Sequence, residues 1–334
     1  MSSKSGYLLI SIAVSLVVLS LPFLISCKGQ IAGESPELDE LEGSSLDNVV
    51  IVAVGDVMLS RYVGERIRSK GDPRAPFLRT AEILEEADVT FCNLESPFYD
   101  EGSPIEDAMI FRADPETIEG LKYAGFDIVS LANNHFGDQG VAGMSFTFSH
   151  LNKNGIEFTG AGENEVKARE PRIIERNGVK FAFLGYTDIE SGIREDYVAT
   201  SEKPGVALLA KESLMQDIRR AKKQAHVVIV SMHWGTEYEE SPTKRQRMFA
   251  HLAVDSGALL VLGHHPHVIQ PLEEYKGGYI FYSLGNFVFD QMQSEKTRTG
   301  LIARISFEGG QIEEVETIRV VIYDFHQPCP EGWE

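Results

Sequence analysis

The chain has 334 residues, of which 43% are hydrophobic and 24% are charged, so it is long enough to bury a sizeable core and most of it is expected to fold. Its formal net charge of -19 disfavours long-range attraction to DNA or RNA, and we expect no nucleic-acid partner. The three cysteines, Cys27, Cys92 and Cys329, give neither a disulfide framework nor a Cys-x-x-Cys zinc pattern.

The N-terminus is typical of an export signal. Residues 7–25 are almost entirely apolar or small, and they lead into Leu-Ile-Ser-Cys, which ends at Cys27. This ending resembles the bacterial lipoprotein box, in which the cysteine is lipidated; an uncleaved membrane anchor is the alternative. Both place the remaining chain outside the cytoplasm and tied to a membrane. We therefore expect an exported, membrane-anchored lipoprotein that carries its lipid on Cys27.

The first predicted strand ends at a carboxylate. Residues 49–54 are all apolar, and Gly55 and Asp56 follow them. A glycine permits a sharp turn, so Asp56 is well placed to meet a metal or a substrate at the strand end; an aspartate that caps the next segment is the alternative. Helical periodicity over 75–86 then predicts a helix, and 88–92 predicts a second strand.

The second predicted strand leads to Asn93 and Glu95, which are two positions apart and so project to the same side. A helix is expected over 114–125, because it begins with Asp-Pro and ends at a glycine.

A third predicted strand, 127–131, is followed by a dense polar cluster. Within a few positions lie two amides, an imidazole and a carboxylate, among them Asn134, His135 and Asp138. A turn rich in asparagine is the alternative to a functional role. The pattern then predicts a helix over 140–154.

The middle of the chain predicts a hairpin, a helix and another strand that ends in a polar cluster. Asn177-Gly178 is a strong two-residue hairpin turn. Residues 211–225 form an amphipathic pattern, and the strand 226–232 runs into His233, with Glu237 shortly after it.

Three histidines follow the next apolar run. A helix is expected to start at Ser241-Pro242, and the buried strand 259–262 comes after it. His264, His265 and His267 then follow a glycine. In extended chain alternate side chains point the same way, so we expect His265 and His267 to converge on one point. A polar loop with satisfied histidines is the alternative.

Two more hairpins complete the predicted fold. The first turns at Gly277-Gly278, and its second strand, 279–283, leads to Asn286. The second joins 300–307 to 311–323. The predicted divisions are a signal peptide at 1–26, a flexible tether at 27–48, one folded domain at 49–323 and an irregular tail at 324–334.

Polar clusters therefore follow five predicted strands at their C-terminal ends. In a largely parallel sheet these ends lie along one edge, where α/β proteins form their sites. The donors are carboxylates, an amide oxygen and imidazoles without a thiolate, which suits two divalent ions such as Mn²⁺, Fe²⁺ or Zn²⁺. Two such ions activate a water molecule and neutralise a phosphoryl transition state.

The order of the motifs resembles a known family. Gly-Asp, Asn-Leu-Glu, Asn-Asn-His, His-Trp-Gly, Gly-His-His-Pro-His and Ser-Leu-Gly-Asn-Phe occur in that order within 49–323. They resemble the CapA family of poly-γ-glutamate capsule biosynthesis proteins, which is similar to the calcineurin-like metallophosphoesterases. The resemblance implies an α/β fold, a four-layer α/β/β/α sandwich of the metallophosphoesterase type, with a metal site at the strand ends.

The resemblance also implies roles for individual residues. The implied metal ligands are Asp56, Glu95, Asn134, His233, His265 and His267. His135 would assist the leaving group, and the residues expected beside the ligands are Asn93, Asp138, Glu237 and Asn286. Two positions depart from the superfamily pattern: Met58 replaces a metal-binding histidine, and Glu95 replaces the bridging aspartate with a longer side chain. His264 is a candidate substitute for a neighbouring ligand.

Basic residues near the motifs are candidates to hold an anionic substrate. Arg61 lies five positions after Asp56, and Lys244, Arg245 and Arg247 follow His233. In a chain of strongly negative charge they would bind a phosphate or a carboxylate locally. Ordinary solvated surface charge is the alternative.

Three functions remain open at this point. The first is a membrane-tethered, metal-dependent hydrolase of the phosphoesterase type, in which His135 donates the proton and Arg61 assists. The second is a non-catalytic accessory that binds an anionic polymer, such as poly-γ-glutamate, or polymer-synthase subunits. The third is a plain extracellular binding lipoprotein. Met58 favours the second hypothesis, the number of retained polar positions favours the first, and the third requires the clusters to be scattered in space.

Overall fold

The computed structural model describes residues 48–102 and 109–332. The expected signal peptide, Cys27 and the tether up to residue 47 lie outside these described residues. No helix within them is long and apolar enough to cross a membrane.

The described residues form sixteen strands and seven α-helices. The strands are β1 (Val49–Val57), β2 (Val89–Leu94), β3 (Ile128–Ser130), β4 (Glu157–Thr159), β5 (Ala161–Gly162), β6 (Arg172–Arg176), β7 (Val179–Thr187), β8 (Gly205–Val206), β9 (Val227–His233), β10 (Leu260–His264), β11 (Ile269–Tyr275), β12 (Gly278–Leu284), β13 (Asn286–Val288), β14 (Thr299–Glu308), β15 (Gln311–Tyr323) and β16 (Gln327–Pro330). The helices are α1 (Arg61–Lys70), α2 (Ala81–Glu85), α3 (Ile118–Tyr123), α4 (Gly140–Lys153), α5 (Glu165–Ala168), α6 (Lys211–Ala221) and α7 (Lys244–Ser256).

Two large sheets carry the fold. The first sheet has the order β16-β15-β14-β1-β2-β3-β4, and β13 pairs with the end of β1. The second sheet has the order β11-β12-β10-β9-β7-β6. The neighbours β1, β2, β3 and β4 are parallel in the first sheet, as are β7, β9, β10 and β12 in the second. Parallel neighbours bring their C-terminal ends to the same edge of each sheet.

Three apolar layers hold the sheets and helices together. Alternate residues of β1 enter different layers: Ile51 packs between the two sheets, whereas Val52 packs toward the helices on the outer face of the first sheet. Helices α1 to α4 contribute to that outer layer, and α6 and α7 cover the outer face of the second sheet with side chains such as Ile218 and Phe249. Burial of each large apolar side chain contributes about 1.5–3 kcal/mol. The expected four-layer α/β/β/α sandwich is confirmed.

The prediction of a helix over 75–86 is wrong for the first half of that range. Only α2 is α-helical, and the residues before it form successive turns, with Phe77 N donating to Arg74 O and Thr80 N to Phe77 O. Pro76 keeps Ala75 out of the helical region, so a helix cannot begin at residue 75.

Two other boundaries also differ from the prediction. Helix α7 is capped by Thr243 rather than by Ser241: the Thr243 hydroxyl accepts from Gln246 N, and the Gln246 side chain accepts from Thr243 N. The tail expected to be irregular contains β16, which pairs with β15 at the end of the first sheet. The end of a sheet tolerates prolines, because one side of an edge strand needs no donors.

Candidate metal centre

The C-terminal ends of five strands meet at one place, but they come from two sheets rather than from one. From the first sheet, β1, β2 and β3 lead to Asp56, Asn93, Glu95, Asn134 and His135. From the second sheet, β9 and β10 lead to His233, His264, His265 and His267. Contacts between these two sets, described below, show that the predicted residues converge.

The carboxylate of Asp56 joins the two sheets. It is fully buried, and its Oδ1 accepts from Asn93 Nδ2 at 2.8 Å while its Oδ2 accepts from His265 N at 3.2 Å. His264 Nδ1 lies 3.2 Å from Oδ1, and His267 Nδ1 lies 3.4 Å from Oδ2. Burial raises the pKa of Asp56, but the two histidines outweigh it and hold that pKa well below its usual value. The group is therefore a carboxylate at neutral pH.

Asn93 orients the carboxylates around it. Its Nδ2 donates to Asp56 and, at 3.3 Å, to Glu95 Oε2, so the amide nitrogen faces the acids and Asn93 acts as a donor in this arrangement. Asn133 Nδ2 donates to Asn93 Oδ1 at 3.1 Å and fixes that orientation. Asn133 was not among the predicted site residues, although the Asn-Asn pair after β3 pointed to it.

Glu95 is buried with an unsatisfied oxygen. Within the described residues its Oε1 has no hydrogen-bond partner, and it lies 3.9 Å from His233 Nε2 and 3.8 Å from His267 Nε2. Burial and the charge of Asp56 raise the pKa of Glu95 well above its usual value. An unsatisfied buried polar atom costs about 1–3 kcal/mol of stability. A cation bound between these groups would offset this loss.

His233 and His265 are held as neutral imidazoles. Burial and the nearby His265 lower the pKa of His233 well below its usual value. Burial and the charge of His267 lower the pKa of His265 to about 3. The His233 Nε2 lies 2.8 Å from Asn134 Oδ1, so these two predicted ligands touch. A neutral imidazole is the form that binds metals.

His265 and His267 converge by a different route from the one predicted. Their φ angles are 94° and 57°, so the segment is not extended and the argument from strand alternation is wrong. The left-handed residues on either side of Pro266 turn the chain instead, and the two ring centroids lie 6.0 Å apart. Such backbone strain costs about 1–3 kcal/mol per residue and is typical of functional sites.

His267 carries a positive charge in this arrangement. Burial lowers its pKa, but Glu95 and Asp56 raise it to about 9. Its Nδ1 lies 2.9 Å from Asn286 Oδ1, and Asn286 in turn donates to Thr297 O at 2.9 Å. Asn286 therefore orients the ring of His267.

His135 lies at the wall of the site. Its Nδ1 is 2.9 Å from Asp138 Oδ2, and its ring stacks on Phe111 at a centroid distance of 3.7 Å. Asp138 also accepts from Phe111 N at 2.7 Å. Asp138 therefore positions His135 and Phe111.

An open pocket of about 360 Å³ adjoins the cluster. Arg61 forms an ion pair with Asp290 on its rim, and its guanidinium lies 4.6 Å from the centre of the Phe111 ring. The pocket lining drawn from the described residues includes Arg61, Phe111, His135, Glu237, Tyr238 and His267. Arg61 and His135 thus face the same space as His267.

The other basic candidates do not belong to this pocket. Arg245 binds the buried Asp188 with a closest distance of 2.7 Å, and Arg247 lies 3.7 Å from Glu273. Within the described chain, neither of them nor Lys244 lines the pocket. The structure does not bring these three residues to this pocket, because a basic residue in the helix after a site loop need not point back toward the site. Their role in holding a substrate stays a prediction.

Among the described residues there are two groups of side chains, and within each group the ligand atoms lie within 4.8 Å of one another. One group is Asp56, Glu95 and His233, and the other is Glu237, His265 and His267. Besides Glu95 Oε1, the buried atoms without a well-formed hydrogen bond in the described chain are His265 Nδ1 and both ring nitrogens of His264, near the same place, and the Nε2 atoms of His226 and His326. His264 Nδ1 keeps its contact with Asp56 at 3.2 Å. Oxygen and imidazole donors left unsatisfied at one point fit divalent metal ions.

Solved structures share this fold. A putative 5'-nucleotidase from Staphylococcus aureus, in complex with alpha-ketoglutarate, is similar with a TM-score of 0.54 and 15% identity, over 83% of this chain and 55% of that one. The NAD nucleotidase of Haemophilus influenzae is similar with a TM-score of 0.50 and 9% identity, over 86% of this chain and 60% of that one. At these identities the likeness shows the fold alone.

Relatives found by sequence have much higher sequence identity to this chain than these solved structures have. The PGA biosynthesis protein CapA of Bacillus subtilis is 35% identical over 83% of this chain and 72% of its own length. The capsule biosynthesis protein CapA of Bacillus anthracis is 36% identical over 73% of this chain and 61% of its own length. A probable polyglutamine synthesis accessory protein of Mycobacterium tuberculosis is 30% identical over 71% of this chain and 66% of its own length.

A family model matches the part of the chain that contains the whole cluster. The match runs over residues 50–291, from β1, which carries Asp56, to just beyond Asn286. The ordered motifs, the four-layer sandwich and the relatives agree with this match. The chain belongs to the family of the bacterial capsule synthesis protein PGA_cap.

Proposed function

We propose that this chain is a metal-dependent hydrolase of the phosphoesterase type that works in the biosynthesis or export of a capsule polymer such as poly-γ-glutamate. The observation that carries the proposal is the convergence of Asp56, Glu95, His233, His265 and His267 beside a pocket that also contains His135. Two of these donors, Glu95 Oε1 and His265 Nδ1, are buried without a hydrogen-bond partner in the described chain.

The residues have different roles in the proposed hydrolysis. Asp56, Glu95, Asn134 and the histidines would hold the ions, which would activate water and offset negative charge on a phosphoryl group. His135 gives a proton to the leaving group, and Asp138 holds one ring nitrogen so that the other is left for the substrate. Arg61, steadied by Asp290 and Phe111, adds positive charge for an anionic phosphoester or polymer.

The relatives and the N-terminal sequence support a proposed biological setting. Relatives are named for PGA or capsule biosynthesis, which supports a polymer or its synthase subunits as partners. The apolar run before Cys27 supports export and a lipid anchor in the cell envelope. We extend the proposal to this location.

A non-catalytic accessory role is the second candidate, and Met58 favours it. The sulfur of Met58 accepts from Ser60 N at 3.1 Å and from Ser60 Oγ at 3.2 Å, so this position supplies no imidazole to the site. In this alternative the domain binds polymer or synthase subunits without turnover.

One experiment separates the two candidates. The full-length chain is purified in detergent and loaded with Mn²⁺ or Zn²⁺; its metal content is measured by elemental analysis, and the hydrolysis of bis(p-nitrophenyl) phosphate is followed. We expect bound metal and a hydrolysis rate that a chelator abolishes and added metal restores. Bound metal without turnover on phosphomonoesters and phosphodiesters would favour the accessory role, and a chain that binds no metal would contradict the proposal.

The variant His135→Gln tests the proton donor. We expect its metal content to be unchanged, because His135 is absent from both ligand groups, whereas kcat falls about 100-fold through loss of the general acid. His251→Gln is the control, since His251 lies on α7 beside Glu273. An unchanged kcat in His135→Gln would remove His135 from the mechanism.

A further inference from the structure

The loop after β9 brings an additional carboxylate to the histidines of β10. Trp234 N donates to His264 O at 3.1 Å, and its indole donates to Tyr282 O at 2.9 Å. Tyr238 N donates to Pro266 O at 2.8 Å, so the residue after Glu237 is bonded to the residue between His265 and His267. The loop that carries Glu237 is therefore fixed on the segment that carries these two imidazoles.

Further contacts hold the same loop from its other side. Gln270 Nε2 donates to Glu239 O at 2.7 Å, and the buried Gln246 donates to Gln270 at 2.8 Å. Gln291 Nε2 donates to the Tyr238 hydroxyl at 3.2 Å. These hydrogen bonds hold the loop that carries Glu237 from both sides, which limits how far its carboxylate can move.

Glu237 is grouped with two imidazoles, one of which has a free nitrogen. Ligand atoms of Glu237, His265 and His267 lie within 4.8 Å of one another. His265 is 3% exposed, and its Nδ1 has no partner within the described residues. Two imidazoles and one carboxylate form a common ligand set for Fe²⁺ and Zn²⁺ that leaves positions open for water or substrate.

The two ligand groups adjoin each other. The His233 and His265 rings lie 4.7 Å apart between centroids, and His267 Nε2 lies 3.8 Å from Glu95 Oε1. The two groups are thus neighbours, as the ligands of a two-metal site must be. The first ion would be held by Asp56, Glu95 and His233, so the second needs a further anionic ligand.

We propose that Glu237 is a direct ligand of the second divalent ion, together with His265 and His267. This inference rests on the proposed function, because it requires that the site binds metal. It assigns Glu237 a role that its sequence position alone did not reveal.

The test counts ions in the full-length protein in detergent. Wild type, Glu237→Gln and the control Glu239→Gln are loaded with Mn²⁺, and metal content, calorimetric affinity and electron paramagnetic resonance are measured. Glu239 is exposed on the same loop, which makes it a matched control. We expect two ions and a spin-coupled signal in wild type and in Glu239→Gln. In Glu237→Gln we expect one ion with an uncoupled signal, or a second ion bound about 100-fold more weakly.

The outcomes separate this inference from the proposed function. If wild type and Glu237→Gln bind the same number of ions with the same affinity, Glu237 is not a ligand, while bound metal and turnover in wild type would leave the proposed function standing. If wild type binds no Mn²⁺ or Zn²⁺, both fail. Circular dichroism of Glu237→Gln verifies that any lost ion does not reflect unfolding.

Discussion

Replacing Asp56 with asparagine is expected to abolish tight metal binding and to lower the hydrolysis rate about 1,000-fold. Bound metal would stabilise the transition state by several kcal/mol, and each tenfold loss of rate corresponds to about 1.4 kcal/mol of that stabilisation. The physical reason is that Asp56 contacts both halves of the site. It accepts from Asn93 of the first sheet and from His265 N of the second. An asparagine would remove the charge and would turn an amide donor toward Asn93 or toward the histidines.

Metal content and hydrolysis rate are measured on the same sample of Asp56→Asn. The control is Asp196→Asn, because Asp196 is a surface carboxylate, with its side chain 60% exposed, paired with Arg194. The control should keep both properties of the wild type. A full metal complement and a wild-type rate in Asp56→Asn would show that the convergence of these residues has no metal-binding role.

Replacing Gly55 with alanine is expected to lower the free energy of unfolding by about 3 kcal/mol or more and to weaken metal binding at the same time. An added Cβ would lie 1.9 Å from the carbonyl oxygen of Gly285, and that oxygen also accepts from Asp56 N at 3.0 Å. The clash is with backbone, so no side-chain rotation can relieve it. β1 must then move away from β13, and Asp56 moves with it.

Urea unfolding and metal titration of Gly55→Ala test this expectation. Gly71→Ala is the comparison: Gly71 ends α1 with a φ of 63° and has no atom near an added Cβ. We expect Gly71→Ala to cost about 1–2 kcal/mol through backbone strain alone and to leave metal binding intact. Equal destabilisation in the two variants, with equal metal affinity, would contradict the role assigned to the contact between Gly55 and Gly285.

The strand ends were predictable because the sequence marks them locally. An apolar run that stops at Asp56, Glu95 or His233 gives both the strand and the polar side chain at its end, and the parallel order then brings these ends together. The motif order also indicated the layered sandwich. The strand ends depend on short-range pattern and on a general property of parallel sheets, whereas the sandwich was implied by the resemblance to a known family.

Other features depended on contacts that no local pattern reveals. Arg61 pairs with Asp290, 229 positions away, and this partner decides where its guanidinium lies. Arg245 looked equally suitable but is bound to Asp188, at the end of a different strand. The backbone turn at His265 also escaped prediction, because positive φ angles at histidines have no sequence marker.

The C-terminal hairpin protects the strand at the centre of the first sheet. β14 pairs with β1 from Val49 to Val54, and β15 and β16 extend the sheet beyond it. The family match stops at residue 291, before β14 begins. A chain cut after that residue would leave most of one side of β1 as a bare, apolar edge, open to strand addition by a second copy. Such a truncated chain is expected to aggregate, so we expect the solubility of the domain to depend on β14, which lies beyond the residues that the family model matches.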